Sequence, residues 1–286
     1  MNSRLILAGA DGYIGQRIQR STQHKEEMLL LSPLQVEDYI PFDLLHVSDF
    51  DFSLINPRDT IIMLAGISSP DVCASKFQMA FNINVTGTIQ FISGCLARSA
   101  RVLFFSSDTV YGSSEGENDE DFFPSDPAGE YGTMKLLVER YFKGEPDFKS
   151  FRLSYVFSWY DKFTSYLRTC YEQKKKSEIF HPFIRKAVYI DDLVACILNI
   201  SNDWDKYSNQ FFNICGPGYL SRVEIAQLFN KHIGNLDLQI ITPDNGFFKA
   251  RPQKIFINSK YSASLLGKNF TPIEDALTIE KQNFLK

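Results

Sequence analysis

The chain is predicted to fold as an α/β protein on a doubly wound parallel sheet. Three observations predict this. Short, almost continuously apolar runs recur through the first half, helical patterns fall between them, and no low-complexity linker breaks the alternation. Apolar runs without polar alternation suit strands buried on both faces, the condition of a parallel sheet covered by helices. A strand, a helix and a second parallel strand make the βαβ unit.

The elements follow in order. "RLILA" (4–8), "MLLL" (28–31), "TIIML" (60–64), "RVLFF" (101–105) and "KSFRLSYVF" (149–157) read as strands. Ile14 and Ile18 share one helix face after the first strand, and Phe81, Val85, Ile89 and Ile92 line another at helical spacing. After about residue 155 the rhythm loosens. "TSYLRTCYEQKKK" (164–176) reads as a helix, and "KAVYI" (186–190) and "QFFNI" (210–214) as short strands around a helix at "DDLVACILNI". Ser221 with Glu224 forms a capping-box pattern before "IAQLF". The expected division is a sheet-bearing domain of residues 1–154 with 186–214, and a smaller interleaved C-terminal α/β lobe of 155–185 with 215–286. A cleft is expected between them.

Composition narrows the function classes. With 286 residues, 44% apolar, 22% charged and a formal net charge of −4, nothing points to nucleic acid or to an anionic membrane surface. The run Lys174–Lys176 reads as a solvated helix face, and the acidic run from Glu115 to Asp121 as an exposed loop. The five cysteines form no CxxC pair and the four histidines no metal-ligand spacing, so reduced thiols, no metal and a cytoplasmic protein are expected. No apolar run is long enough to span a bilayer, and "RLILAGADG" already reads as structure rather than a leader.

Three constellations can carry chemistry. "GADGYIG" places Gly9, Gly12 and Gly15 between a predicted strand and a predicted helix. Glycines there permit a tight turn and let a pyrophosphate approach backbone N–H groups at a helix N-terminus. The spacing is GxxGxxG, and a plain glycine-rich turn gives the same pattern. Where dinucleotide sites often carry an acid at the end of the second strand, this chain has Ser32. An acid would repel a 2′-phosphate, so NADPH is slightly favoured over NADH, with Arg17 within conceivable reach of that phosphate. Asp43 stands near the end of a third strand, either to contact adenine or as a cap or turn residue. The second constellation, "FFSSDTVYG" (104–112), runs a buried strand into Ser106, Ser107 and Asp108, either at a ligand site or as turn formers. The third is "YGTMK". Tyr131 and Lys135 lie one helical turn apart, on a stripe with Met134, Val138 and Tyr141. A lysine on an inward face needs a task or a partner, or must snorkel.

Gly9, Gly12 and Gly15, then "NVTGT" (84–88), "SSDTVYG" (106–112) and "YGTMK", occur in that order. Together they resemble an extended short-chain dehydrogenase/reductase, with a Rossmann-type sheet, of the nucleotide-sugar epimerase/dehydratase group. "RKAVYIDDLV" (185–194) is similar to that group's "RDFVHVDDL", and "FNICG" (212–216) to its "YNVGSG". Within the group, "FRLSYVFSWYDKFTSYL" (151–167) and "ARPQKIFINSKYSASLLG" (250–267) resemble segments of dTDP-4-dehydrorhamnose reductases and related 4-ketosugar-nucleotide reductases. "PDV" (70–72) departs from the "AVD" of those reductases.

The resemblance implies a role for each matching residue. Tyr131 would be the proton donor, Lys135 would hold the nicotinamide ribose and lower the tyrosine's pKa, and Ser107 would hydrogen-bond the substrate carbonyl. Asp108 would complete the catalytic set. Gly9, Gly12, Tyr13, Ile14, Gly15, Ser32, Asp43, Leu44, Ala65, Gly66 and Asn84, with Tyr131 and Lys135, would meet NADPH or NADH. Arg185 and Arg251 would grip a nucleotide diphosphate. The 4,6-dehydratases of the group carry Thr-Asp-Glu where this chain has Ser107-Asp108-Thr109, which argues against water elimination. The implied activity is reduction of the 4-keto group of a nucleotide diphosphate-linked 6-deoxy-4-ketohexose, in deoxysugar and surface-polysaccharide biosynthesis. Two alternatives stand beside it: a nucleotide-sugar epimerase with tightly held NAD, and a non-catalytic NAD(P)-binding regulatory subunit. The sequence leaves a homodimer open.

Overall fold

The computed structural model describes residues 4–22, 28–34, 36–113, 116–243, 247–248 and 251–284. Glu115 of the acidic run and Ala250 of the "ARPQK" block lie outside them. The first half alternates strand and helix: β1 (Leu5–Ala8), α1 (Tyr13–Ser21), β2 (Met28–Ser32), β3 (Ile40–Pro41), β4 (Thr60–Met63), α2 (Pro70–Ser75), α3 (Phe77–Phe81), α4 (Thr88–Ala97), β5 (Arg101–Ser107), α5 (Gly129–Tyr141) and β6 (Phe148–Leu153). Then come β7 (Tyr155–Phe157), α6 (Lys162–Glu172), β8 (Ser177–Phe180), β9 (Ile184–Tyr189), α7 (Ile190–Asn202), β10 (Phe211–Ile214), β11 (Tyr219–Ser221), α8 (Arg222–His232), β12 (Leu238–Ile241), α9 (Ser262–Leu266) and α10 (Ile273–Phe284).

Seven of these strands form one parallel sheet in the order β10-β6-β5-β4-β1-β2-β3. The chain runs outward from β1 through β2 and β3, then returns to the other side of β1 at β4. The switch point therefore lies between β1 and β4, where open α/β sheets leave a crevice at the carboxyl ends of their strands. All residues of β4 and β5 are buried, as two-sided coverage requires. One face packs Ile6, Ile61, Val102 and Phe104 against Phe91 and Val138, and the other packs Leu7, Ile62, Leu103 and Phe151 against Ile18, Leu193 and Ile197.

Several expectations change. "KSFRLSYVF" is two strands, not one. At Ser154 the chain leaves the large sheet, and β7 pairs with β9 in a three-stranded sheet β11-β9-β7. Ser154 holds the crossing point, its N–H donating to Ile214 O at 3.1 Å and its hydroxyl to Lys186 O. Thus β9 belongs to the small sheet, while α7, which follows it, covers the large one through Leu193 and Ile197. The helix expected across Phe81–Ile92 contains a π-helical stretch, Asn82–Gly87, between α3 and α4. Lys174–Lys176 lie beyond α6, with Lys174 at φ +52°, exposed but not on a helix. Tyr141 is 63% exposed, so the stripe of Tyr131 and Lys135 turns outward at its far end. The acidic run is not a free loop: Glu120 accepts from Asn213 N, Ser259 Oγ and Lys260 N, and Asp119 and Asp121 pair with Lys260. The capping box at Ser221 and Glu224 forms as expected.

Candidate active site

The glycine turn sits at the carboxyl end of β1, beside the switch point. Gly9 adopts φ +94°, and both its N–H and that of Ala10 donate to Leu31 O, which ties the turn to β2. A Cβ at Gly9 would stand 2.7 Å from Ala65 N, and one at Gly15 2.7 Å from the carbonyls of Gly9 and Ala10. A side chain at either place would fill the cradle or push α1 away. The turn thus has the close backbone approach and free helix N-terminus that a dinucleotide's pyrophosphate requires, and its residues fit that group. Ala65 continues the floor, its N–H donating to Ala8 O at 2.7 Å, and Gly66 follows at φ +143°.

The other expected cofactor residues divide into two kinds. Ile14 packs into the core beside the sheet. Tyr13 donates its hydroxyl to Ser158 Oγ at 2.6 Å, joining α1 to the C-terminal half, and burial foremost raises its pKa. Asn84, in the π-helical stretch, accepts from Ile67 N at 2.8 Å and donates to Ile67 O at 3.0 Å. Its amide clamps the loop after β4. The turn at Leu44 lies against that same stretch, where a Cβ on Gly87 would overlap Leu44 O. Asp43 forms the bonds of a turn residue: its carboxylate accepts from Leu45 N at 2.9 Å and meets His46 Nδ1 at 3.1 Å. The hydrogen bond from Leu45 holds its pKa below the usual carboxylate value. Arg17 is engaged within the protein. Its guanidinium is bound by Asp191 at 2.5 Å and by Glu280 at 3.2 Å.

The second and third motifs meet because of a glycine. β5 ends at Ser107 and passes into a 3₁₀ turn, Asp108–Tyr111. A Cβ at Gly132 would be 2.7 Å from Thr109 O, so α5 rests directly on that turn, and Ala128 N donates to the same carbonyl at 2.9 Å. This contact brings the helix of Tyr131 onto the turn that follows Ser107, and Asp108 lies close enough to act electrostatically on Tyr131. Its ring centre lies 5.8 Å from Lys135 Nζ, which is 4.7 Å from the Phe104 ring centre. Lys135 is 7% exposed, and its ammonium makes no hydrogen bond or ion pair among the described residues. Burial lowers its pKa to about 8, against the opposing pull of Cys73 and Glu139. Burial foremost raises the pKa of Tyr131, with Cys73 and Asp108 adding to it. A buried ammonium with no hydrogen bond or ion pair among the described residues is costly, which favours a task over snorkelling.

Ser107 Oγ donates to Asp108 Oδ1 at 3.2 Å and accepts from Thr109 N and Thr109 Oγ1. Asp108 is buried, and its Oδ2 lies 3.7 Å from Arg185 Nε. Burial pushes its pKa up, with Arg185 opposing. The rest of the Arg185 guanidinium donates to Ile184 O and Pro252 O. Arg251 forms an ion pair with Asp71 of α2. A third arginine, Arg222, escaped the sequence reading. Its guanidinium lies 4.4 Å from the Phe183 ring centre and 5.1 Å from that of Phe163, with no ion pair among the described residues. Burial lowers its pKa, and neighbouring Arg251 adds to that. Arg185 thus lies within electrostatic reach of Arg222, and Arg222 of Arg251, and Arg185 is the one that meets the turn after Ser107.

The family model of the NAD dependent epimerase/dehydratase family matches residues 5–215. A 4-epimerase of Escherichia coli O157:H7, acting by its name on N-acetyl-alpha-D-glucosaminyl-diphospho-ditrans,octacis-undecaprenol, is 28% identical over 49% of this chain and 42% of its own length. The chain thus matches less than half the length of that curated relative. A crystal structure of dTDP-4-dehydrorhamnose reductase from Bacillus anthracis in complex with NADP superposes with a TM-score of 0.81 at 21% identity, covering 99% of this chain and 100% of the other. MoeE5 in complex with UDP-glucose and NAD gives a TM-score of 0.83 at 18% identity, with coverage of 99% and 100%. At these identities the structural likeness speaks for the fold. Among the described residues, no helix is long and apolar enough to cross a membrane.

Proposed function

The chain belongs to the NAD dependent epimerase/dehydratase family, and within it we propose that this protein reduces the 4-keto group of a 6-deoxy-4-ketohexose carried on a nucleoside diphosphate. The reaction would serve deoxysugar and surface-polysaccharide biosynthesis in the cytoplasm. One observation argues against the dehydratase branch of the family. The two residues after Ser107 are occupied: Asp108 faces Arg185 at 3.7 Å, and Thr109 Oγ1 donates to Ser107 Oγ at 3.0 Å. Asp108 is the one acid of this run, and Thr109 stands where the dehydratases carry the second, which speaks against elimination of water. Tyr131, Lys135 and Ser107 remain, a set suited to moving a proton beside a carbonyl.

The bound nicotinamide would supply the hydride. Negative charge then develops on the carbonyl oxygen, and Tyr131 donates its proton there. Lys135 favours that transfer by stabilising the phenolate left behind, which offsets the burial that holds the tyrosine's pKa up. The Ser107 hydroxyl, a free rotor, turns from Asp108 to donate to the same oxygen. Arg222, and Arg251 beside it with its exposed partner Asp71, would supply positive charge for the diphosphate, while Arg185 steadies Asp108.

A second reading, 4-epimerisation with retained NAD, is favoured by the epimerase among the curated relatives and by the likeness to MoeE5 with NAD. A purely regulatory role is disfavoured by the joint presence of Tyr131, Lys135 and Ser107. The experiment is a panel of dTDP-, GDP-, CDP- and UDP-linked 4-keto-6-deoxysugars with NADH and NADPH, with product C4 configuration read by NMR. Stoichiometric consumption of added reduced cofactor supports the reductase. Interconversion of C4 epimers without net consumption, by protein purified with bound nucleotide, supports the epimerase.

A further inference from the structure

The end of β2 lacks an acid in the sequence, yet the fold delivers one from the glycine turn. Ser32, the last residue of β2, has no solvent exposure, and its Oγ donates to Asp11 Oδ1 at 2.7 Å. The same Oγ accepts from Leu34 N at 3.1 Å, which fixes the direction of the hydroxyl toward Asp11. Asp11 is only partly buried, so its carboxylate keeps an accessible side at the carboxyl end of β2. In a sheet of this order that place receives the adenosine ribose of a dinucleotide.

Among the described residues that directly follow β2 there is no compensating cation. Residues 33–42 read Pro-Leu-Gln-Val-Glu-Asp-Tyr-Ile-Pro-Phe, with Glu37 and Asp38 exposed and no lysine or arginine. Arg17 is held by Asp191 and Glu280. Arg17 and Arg20 line a cavity of about 370 Å³ together with Tyr13, Ser158 and Tyr160, on the side of α1 that meets the C-terminal half. Asp11 itself makes no ion pair among the described residues.

We propose that Asp11, aimed by Ser32, is the residue that selects NADH over NADPH: its carboxylate accepts from the ribose 2′-hydroxyl and repels a 2′-phosphate. The missing acid at the end of β2 then no longer favours NADPH, and the selection holds whichever sugar is turned over.

The test is direct binding of NADH and NADPH to the full chain, by cofactor fluorescence, in the wild type, Asp11→Asn and Ser32→Ala. The wild type is expected to bind NADH at least about tenfold more tightly than NADPH, the size of one charge-assisted hydrogen bond gained or lost. Because the discrimination is electrostatic, that ratio should shrink as salt rises from about 0.01 to 1 M. Asp11→Asn should close most of the gap, chiefly by tightening NADPH, and Ser32→Ala should close part of it with the charge retained. Equal or tighter binding of NADPH by the wild type overturns the proposal, as does a ratio unchanged by salt or by Asp11→Asn. Should the variants fail to fold, the wild-type ratio and its salt dependence decide alone.

Discussion

Arg152 and Glu139 form an ion pair 2.8 Å long with neither side chain exposed to solvent. Glu139 stands one helical turn beyond Lys135 on α5, and Arg152 projects from β6. Ser150 Oγ also donates to Glu139, and Arg152 donates to the hydroxyl of Tyr111, in the turn that follows Ser107. The pair therefore stitches the helix of Tyr131 and Lys135 to the turn of Ser107.

Removing one partner leaves the other charged and buried. Arg152→Met is expected to destabilise the fold by about 3–5 kcal/mol in urea denaturation, and the double change Arg152→Met with Glu139→Leu to recover much of it. A single-variant loss under about 1 kcal/mol, the worth of an exposed pair, would contradict this reading.

Gly132 is the contact on which the site's assembly depends. A Cβ there meets Thr109 O at 2.7 Å, so Gly132→Ala must lift α5 from the Ser107 turn. Turnover is expected to fall by about 100-fold, as displacements near 1 Å can cause. Wild-type turnover in a well-folded Gly132→Ala protein would show that the two motifs need not touch.

Lys135 sets the pH behaviour. Its folded-state pKa of about 8 lies below the ordinary 10.5 because burial disfavours the ammonium. Burial raises the pKa of Tyr131, so the phenol keeps its proton throughout the working range. The alkaline limb of kcat/KM for reduction should therefore fall above pH 8, and Lys135→Arg should move that limb upward in whatever activity remains. For stability, the folded chain binds the proton less well than the unfolded chain. The penalty is complete below pH 8 and relieved between 8 and 10.5. Lys135→Met should thus raise the denaturation midpoint at neutral pH, with the gain shrinking through that window. A profile flat to about pH 9.5 would contradict a lysine with a lowered pKa.

Much of this architecture was legible in the sequence. The strands of the large sheet are apolar runs, and "GADGYIG", "SSDTVYG" and "YGTMK" stand at the ends of elements, where position follows from chain order. What was not legible depends on contacts between distant segments. The split of "KSFRLSYVF" at Ser154 is set by which strand each half pairs with, and apolarity alone cannot tell the two sheets apart. Asp11 reads as a turn residue until β2 is laid beside it and Ser32 donates to it. Arg222 reads as an ordinary first-turn arginine, and only the fold brings Phe163 and Phe183 to its guanidinium. Arg185 and Arg251 read from the sequence as grips for a diphosphate, and only the fold shows that each also meets a carboxylate, Asp108 and Asp71.

The central claim is that Tyr131 donates the proton, and it is tested most directly by Tyr131→Phe, which removes one oxygen and keeps the ring. Turnover of the ketosugar nucleotide and cofactor dissociation constant should be measured on the same preparation. Turnover is expected to fall by about 10²–10⁴-fold with cofactor affinity preserved within about twofold. Retention of more than a few per cent of wild-type turnover would contradict the assignment.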